Sequence, residues 1–163
     1  VGTIGLEIIE DLPDVEVILV PVGGGSGASG ISIAARALNP EIEVIGVQSE
    51  AAPAAYLSWR EGRVVATEFM NTFAEGLATR VGFELPLAIL RENLADFVLV
   101  SEEEIRRAML LMMEATHNLV EAAGAAPLAA ALRIRERLRG RKVVLDLSGG
   151  NITLSALREL LAA

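Results

Sequence analysis

The sequence predicts an α/β domain of three layers, with helices on both faces of a mostly parallel sheet. Three observations carry that expectation. Apolar, β-branched runs recur along the chain (VEVILVPV, EVIGVQ, DFVLV, KVVLDL), as strands buried on both faces require. Segments of helical period separate them, and the first two runs are spaced as in a βαβ unit. The first run also opens into VPVGGGSGASG (residues 20–30), the pattern of a strand, a glycine turn and a helix.

Taken in order, residues 3–12 read as a short helix with Thr3 as N-cap, Ile4, Ile8 and Leu12 on one face, and Pro13 as its end. A strand at 16–22 follows, then a helix from Ala28 to Leu38, stopped by Asn39 and Pro40. Residues 43–48 form the second strand, and 51–59 a short helix in which Tyr56 and Trp59 are packing groups. From 62 to 82 periodicity is lost, so a long irregular stretch is expected there. A helix at 84–94 leads to a third strand at 96–100. Ser101 and Glu104 then announce a new helix through a capping box, with Ile105, Met109, Met112 and Met113 on its core face. Residues 117–127 are expected to interrupt the helical pattern before a helix carrying Leu128, Leu132 and Leu138. Its arginine-rich end suits the negative pole of a helix dipole. A fourth strand at 142–147, the turn SGGN and a helix at 153–161 complete the chain, read as one domain over residues 1–163.

Composition narrows the function. A net charge of −8 argues against a general nucleic-acid surface, and no apolar run approaches the roughly 20 residues a bilayer span needs. With no basic-apolar leader at the start, the expected location is cytoplasmic. The absence of cysteine excludes disulfides and thiolate chemistry. Lys142 is the one lysine, so any lysine chemistry within these residues would rest on it.

Residues 23–27 (GGGSG) put backbone N–H groups at the positive end of a helix dipole, the arrangement that binds phosphate. Gly24 is expected to need φ > 0 or a close approach. A plain tight turn is the bland alternative. A second alternative is a dinucleotide-binding turn, since Gly25, Gly27 and Gly30 spell GxGxxG and Glu50 lies 20 residues on, where a ribose-binding acid would stand.

Seven segments in order, TIGLEI (3–8), PVGGGSG (21–27), IGVQSE (45–50), FAEGLATR (73–80), VSEEEI (100–105), THNLVEAAGAAPLAA (116–130) and LSGGN (147–151), resemble the threonine/serine dehydratase family of fold type II pyridoxal-phosphate enzymes. The resemblance implies that Gly23, Gly24, Gly25 and Ser26 hold the phosphate of pyridoxal 5'-phosphate. It implies that Glu75 and Gly76 line the cofactor ring, that Glu121 stands in the same pocket, and that Ser148, beside Gly149, bonds the pyridine nitrogen. His117 reads as a helix-end polar group rather than a base. Asp146, two residues before Ser148, stands where relatives usually carry an apolar residue, and is expected to be paired structurally, the alternative being that it lies close enough to alter the ring.

The same resemblance implies a lyase that converts threonine or serine to a 2-oxo acid and ammonia, with a small hydroxy amino acid as substrate and a homodimer or homotetramer as assembly. The family's Schiff-base lysine has no counterpart here, so this chain is expected to be the C-terminal part of a catalytic domain whose N-terminal part bears the lysine. Alone, it is expected to be inactive. Where some relatives place two carboxylate ligands for a divalent cation, this sequence has Gln48 and Ala54, so no metal site is expected.

Overall fold

The computed structural model describes residues 1–162. Its sheet has four parallel strands, β1 (Val17–Pro21), β2 (Glu43–Ser49), β3 (Asp96–Val100) and β4 (Val143–Leu145), in the order β3-β2-β1-β4. Leu19 of β1 stands beside Ile45 on one side and Leu145 on the other. Residues 17–20 are all buried, because successive side chains enter the two opposite layers. Ile18 and Val20 pack with Val44 and Phe97 against one layer, and Val17 and Leu19 with Ile45 and Val47 against the other.

Helices α1 (Gly2–Asp11), α2 (Ser26–Leu38), α3 (Ala54–Glu61) and α4 (Glu84–Asn93) form the first layer. Helices α5 (Glu102–Thr116), α6 (Ala122–Arg133), α7 (Arg135–Leu138) and α8 (Leu154–Ala162) form the second. The three-layer α/β/α expectation therefore holds. No helix among the described residues is long and apolar enough to cross a membrane.

Strand order places the site. From β1 the chain moves outward to β2 and β3, then returns to add β4 on the other side of β1. Helix α2 leaves β1 into one layer and α8 leaves β4 into the other. The carboxyl edge between β1 and β4 is thus a topological switch point, where loops diverge and leave a crevice. Both glycine turns rise there.

Several local expectations are corrected. Helix α1 begins at Gly2 with Val1 as its cap residue, so Thr3 lies inside it. Its start is set by packing on α2: a Cβ at Gly30 would come within 2.7 Å of the Gly2 nitrogen. Helix α2 begins at Ser26, two residues before Ala28. Only residues 117–121 interrupt the second layer, since α6 starts at Ala122 and carries Pro127 within it. Its buried face is alanine (Ala122, Ala123, Ala125, Ala126, Ala129, Ala130), which lets α6 lie close to the sheet, while Leu132 is exposed. Met113 is only half-buried.

Strand β4 is shorter than the expected 142–147, its ladder to β1 prolonged by one bond, from Asp146 N–H to the Leu19 carbonyl at 3.0 Å. The capping box is present as expected, with the Ser101 hydroxyl accepting from the Glu104 N–H and the Glu104 carboxylate accepting from the Ser101 N–H at 2.8 Å.

The arginine-rich stretch serves ion pairs more than a dipole. Arg137 bridges Glu43 (2.5 Å) and Asp96 (2.6 Å), and Arg141 adds a second bond to Glu43 (2.6 Å). Hydrogen bonding from Arg137, reinforced by Arg141 against the cost of burial, holds the Glu43 carboxyl below its usual range. These arginines clamp the amino ends of β2 and β3.

Candidate active site

The glycine loop is tied to the sheet by the Val22 N–H, which donates to the Val47 carbonyl at 2.8 Å. Gly25 then takes φ +90° and serves as the N-cap of α2. A side chain there would be strained, and its Cβ would meet Pro86 at 2.9 Å. The positive φ expected of Gly24 therefore belongs to Gly25. At Gly24 a Cβ would meet only the Phe83 ring, at 3.6 Å, an ordinary contact. Gly23 is the position of close approach, since a Cβ there would fall on the carbonyl oxygen of Gly76. Among the described residues, the N–H groups of 23–28 have no hydrogen-bond acceptor, so a set of donors stands open at the positive end of α2.

Glu75 and Gly76 lie in a one-turn 3-10 helix, Glu75–Leu77, anchored by the buried Ala74 and Leu77 and exposed at its crest. Gly76 in turn backs onto α6: a Cβ there would come within 2.7 Å of the Ala123 methyl and 3.6 Å of a Glu121 carboxylate oxygen. Glu121 is the N-cap residue of α6. Its Oε2 accepts from the Asn151 N–H at 2.9 Å, its own N–H donates to the Gly149 carbonyl at 3.1 Å, and its carboxylate fills the space a Gly149 side chain would need. The nine expected residues thus form one continuous rim, with Gly23 against Gly76, Gly76 against Glu121, Glu121 against Gly149, and Ser148 next in chain and exposed. Beside the rim a cavity of about 650 Å³ opens between the 3-10 turn, α5, α6 and α8. Its polar lining includes Arg106, whose guanidinium lies 4.2 Å from the Phe73 ring centroid.

Asp146 has no cationic partner among the described residues and is hydrogen-bonded by the Ser148 side chain. Burial pushes its carboxyl above the usual range, opposed by the Ser148 hydrogen bond. A raised folded-state value means that the native state holds this proton more tightly than the unfolded chain. That contribution to stability is complete below the unfolded pKa and is lost as pH rises through the folded one. Asp146→Asn is therefore expected to raise the melting temperature at pH 8 and to change it far less at pH 4; an equal change at both would show that ionisation of Asp146 costs the fold nothing.

Other expected positions lie elsewhere. Glu50 is bound to Arg133 at 2.8 Å, Gly27 faces open space, and Gly30 serves the contact with α1, so in the dinucleotide pattern the acid is already paired and the middle glycine has no steric reason to be glycine. His117 is the C-cap of α5, in the left-handed region at φ 58°. Gln48 is fully buried; its carbonyl accepts from the Tyr56 N–H (3.0 Å) and its amide donates to Thr79 Oγ1 (3.3 Å), while the Thr79 hydroxyl reaches the Gly23 carbonyl at 3.5 Å. No cluster of metal-ligating side chains is found among the described residues. One group that sequence reasoning passed over is Glu102, read only as a helix-start acid. It accepts hydrogen bonds from Ser49 at the end of β2 and from Thr72 and the Phe73 N–H in the loop before the 3-10 turn.

Comparisons with known proteins bear on the family. The family described as "Pyridoxal-phosphate dependent enzyme" matches residues 1–149. The chain is 43% identical over 160 residues to the L-threonine ammonia-lyase of Thermotoga maritima, covering 98% of this chain and 40% of that protein. It is 41% identical over 161 residues to the catabolic L-threonine dehydratase of Escherichia coli (strain K12), covering 98% and 49%. The processed form of threonine deaminase isoform 2 from Solanum lycopersicum superposes with a TM-score of 0.94 at 31% identity, over 99% of this chain and 48% of that one. The chain therefore spans half or less of these relatives' length. The family match over residues 1–149 shows that the chain belongs to the pyridoxal-phosphate dependent enzymes, and the relatives it resembles are threonine dehydratases and serine racemases.

Proposed function

We propose that the chain forms the phosphate-holding and ring-nitrogen side of a lyase that removes water and then ammonia from threonine or serine to give a 2-oxo acid. One observation carries most of the weight: a row of unpartnered N–H groups at the start of α2 lies on the same rim as the exposed hydroxyl of Ser148. The residues fit pyridoxal phosphate. Residues 23–26 offer its phosphate backbone donors and the positive helix end, so no cationic side chain is needed. Glu75 and Gly76 wall the ring, and Glu121 fixes the 149–151 turn through Asn151. When bound, the cofactor supplies an electron sink for the substrate's α-carbon.

Ser148 would offer its hydroxyl proton to the ring nitrogen of the bound cofactor without charging it, an environment that favours elimination over transamination. Asp146 competes for the same proton when ionised. Burial, which raises the Asp146 pKa, works against that competition, and the Ser148 hydrogen bond opposes the rise. The lysine that the reaction needs comes from a segment outside these 163 residues.

The intact protein, mixed with pyridoxal phosphate, is expected to gain an absorption band near the visible and to release 2-oxobutanoate from threonine. NAD would give neither. Absence of the band would sink the reading, and a band without turnover on threonine or serine would overturn the proposed substrate class.

A further inference from the structure

We propose that Glu102 is a positioning residue, which holds the turn bearing Glu75 and Gly76 against the glycine loop. This rests on the reading of the rim as the cofactor pocket and assigns it a support from outside. Glu102 is the first residue of α5 and half-buried. Its Oε1 accepts from Ser49 Oγ (2.5 Å) and Thr72 Oγ1 (2.9 Å), and its Oε2 from the Phe73 N–H (2.8 Å).

Two of those donors extend the hold. Ser49 Oγ also accepts from the Ala51 N–H (2.9 Å), and Thr72 Oγ1 from the Ala74 N–H (3.0 Å). The Asn71 N–H closes the ring by donating to the Ala51 carbonyl at 2.9 Å. One carboxylate thus gathers the end of β2, the entry to the 3-10 turn and the start of α5. The next residues along the turn are the buried Ala74, then Glu75, then Gly76, whose carbonyl meets Gly23.

Three donors converge on the Glu102 carboxylate at the positive end of α5. An amide at the same place would present an NH₂ group to at least one donor. The Ser49 and Thr72 hydroxyls can rotate away, but the Phe73 N–H cannot. Glu103, one residue on, is exposed and has no side-chain hydrogen-bond partner among the described residues, so it stands at the same helix end without the contacts.

In the intact protein, Glu102→Gln is expected to speed amide exchange at residues 73–77 about tenfold or more and to weaken pyridoxal phosphate binding by a similar factor, the scale of one lost charge-assisted hydrogen bond. Exchange in β1 and β2 should be unchanged, which separates local release from general loosening. Thr72→Val, which orphans the Ala74 N–H but keeps the carboxylate, should show a smaller effect of the same kind, and Glu103→Gln should show none. Unchanged exchange at 73–77 in Glu102→Gln would overturn the proposal. So would faster exchange with cofactor affinity intact, because the turn would then be held without shaping the pocket. If the unaltered protein failed to bind pyridoxal phosphate, the reading of the rim would fall, while the exchange measurement would still decide whether Glu102 holds the turn.

Discussion

Gly23→Ala is expected to cost the intact protein roughly tenfold to a hundredfold in affinity for pyridoxal phosphate, the consequence of about 1–3 kcal/mol of forced repacking. The added methyl would fall on the Gly76 carbonyl oxygen, which is backbone and cannot rotate aside. Either the glycine loop lifts from the carboxyl edge or the 3-10 turn moves outward, and both displace groups on the rim. Gly24→Ala is the control one residue away. Its methyl would meet only the Phe83 ring at 3.6 Å, and no positive φ stands in its way. Affinity should stay within about twofold, as expected of an unstrained surface change. The measurement is a titration of each variant with cofactor, followed by absorbance. Equal losses at the two positions would show that the loop needs glycine for its own flexibility and not for its contact with Gly76.

How much of this was legible in the sequence depends on the range of the forces involved. The glycine loop, the α5 capping box and the apolar strands are local patterns, and each appears where the residues place it. Glu75, Gly76, Glu121, Ser148 and Gly149 came through resemblance, and the structure adds the reason they stand with the loop, which is a run of backbone approaches at Gly23, Gly76 and Gly149. Long-range contacts were not legible. Nothing local tells Glu102 from Glu103 in the run SEEE, yet one binds three donors and the other none. The breaker signal of Pro127 was outweighed by an alanine face that lets α6 lie close to the sheet. The arginines after Leu132 looked like a dipole device until strand carboxylates at Glu43 and Asp96 came within 2.6 Å of them. The positive φ was assigned one residue early because all three glycines look alike until Pro86 and Leu90 pack against Gly25.

These 163 residues alone are expected to release no 2-oxobutanoate from threonine above a blank, because their one lysine is held at the wrong end of the sheet. Lys142 precedes β4, and its carbonyl accepts from the Glu16 and Val17 N–H groups at the start of β1. Its ammonium pairs with Asp14 and its N–H donates to Glu16 Oε2 at 2.8 Å, so both ends of the residue are engaged at the amino edge. All four strands run parallel, which puts the glycine turns at the opposite edge. From Lys142 to that edge is about five strand residues, or roughly 16 Å, well beyond the reach of a lysine side chain. Lys142→Met in the intact protein should accordingly leave turnover unchanged, although it removes the pair with Asp14, an exposed contact of small value. On the proposed reading the isolated chain is expected to bind cofactor weakly through residues 23–26, so absorbance and turnover must be read together. Cofactor-dependent turnover by the isolated chain that disappears in Lys142→Met would mean that the lysine reaches the site after all, and with it the edge assigned to the site would be wrong.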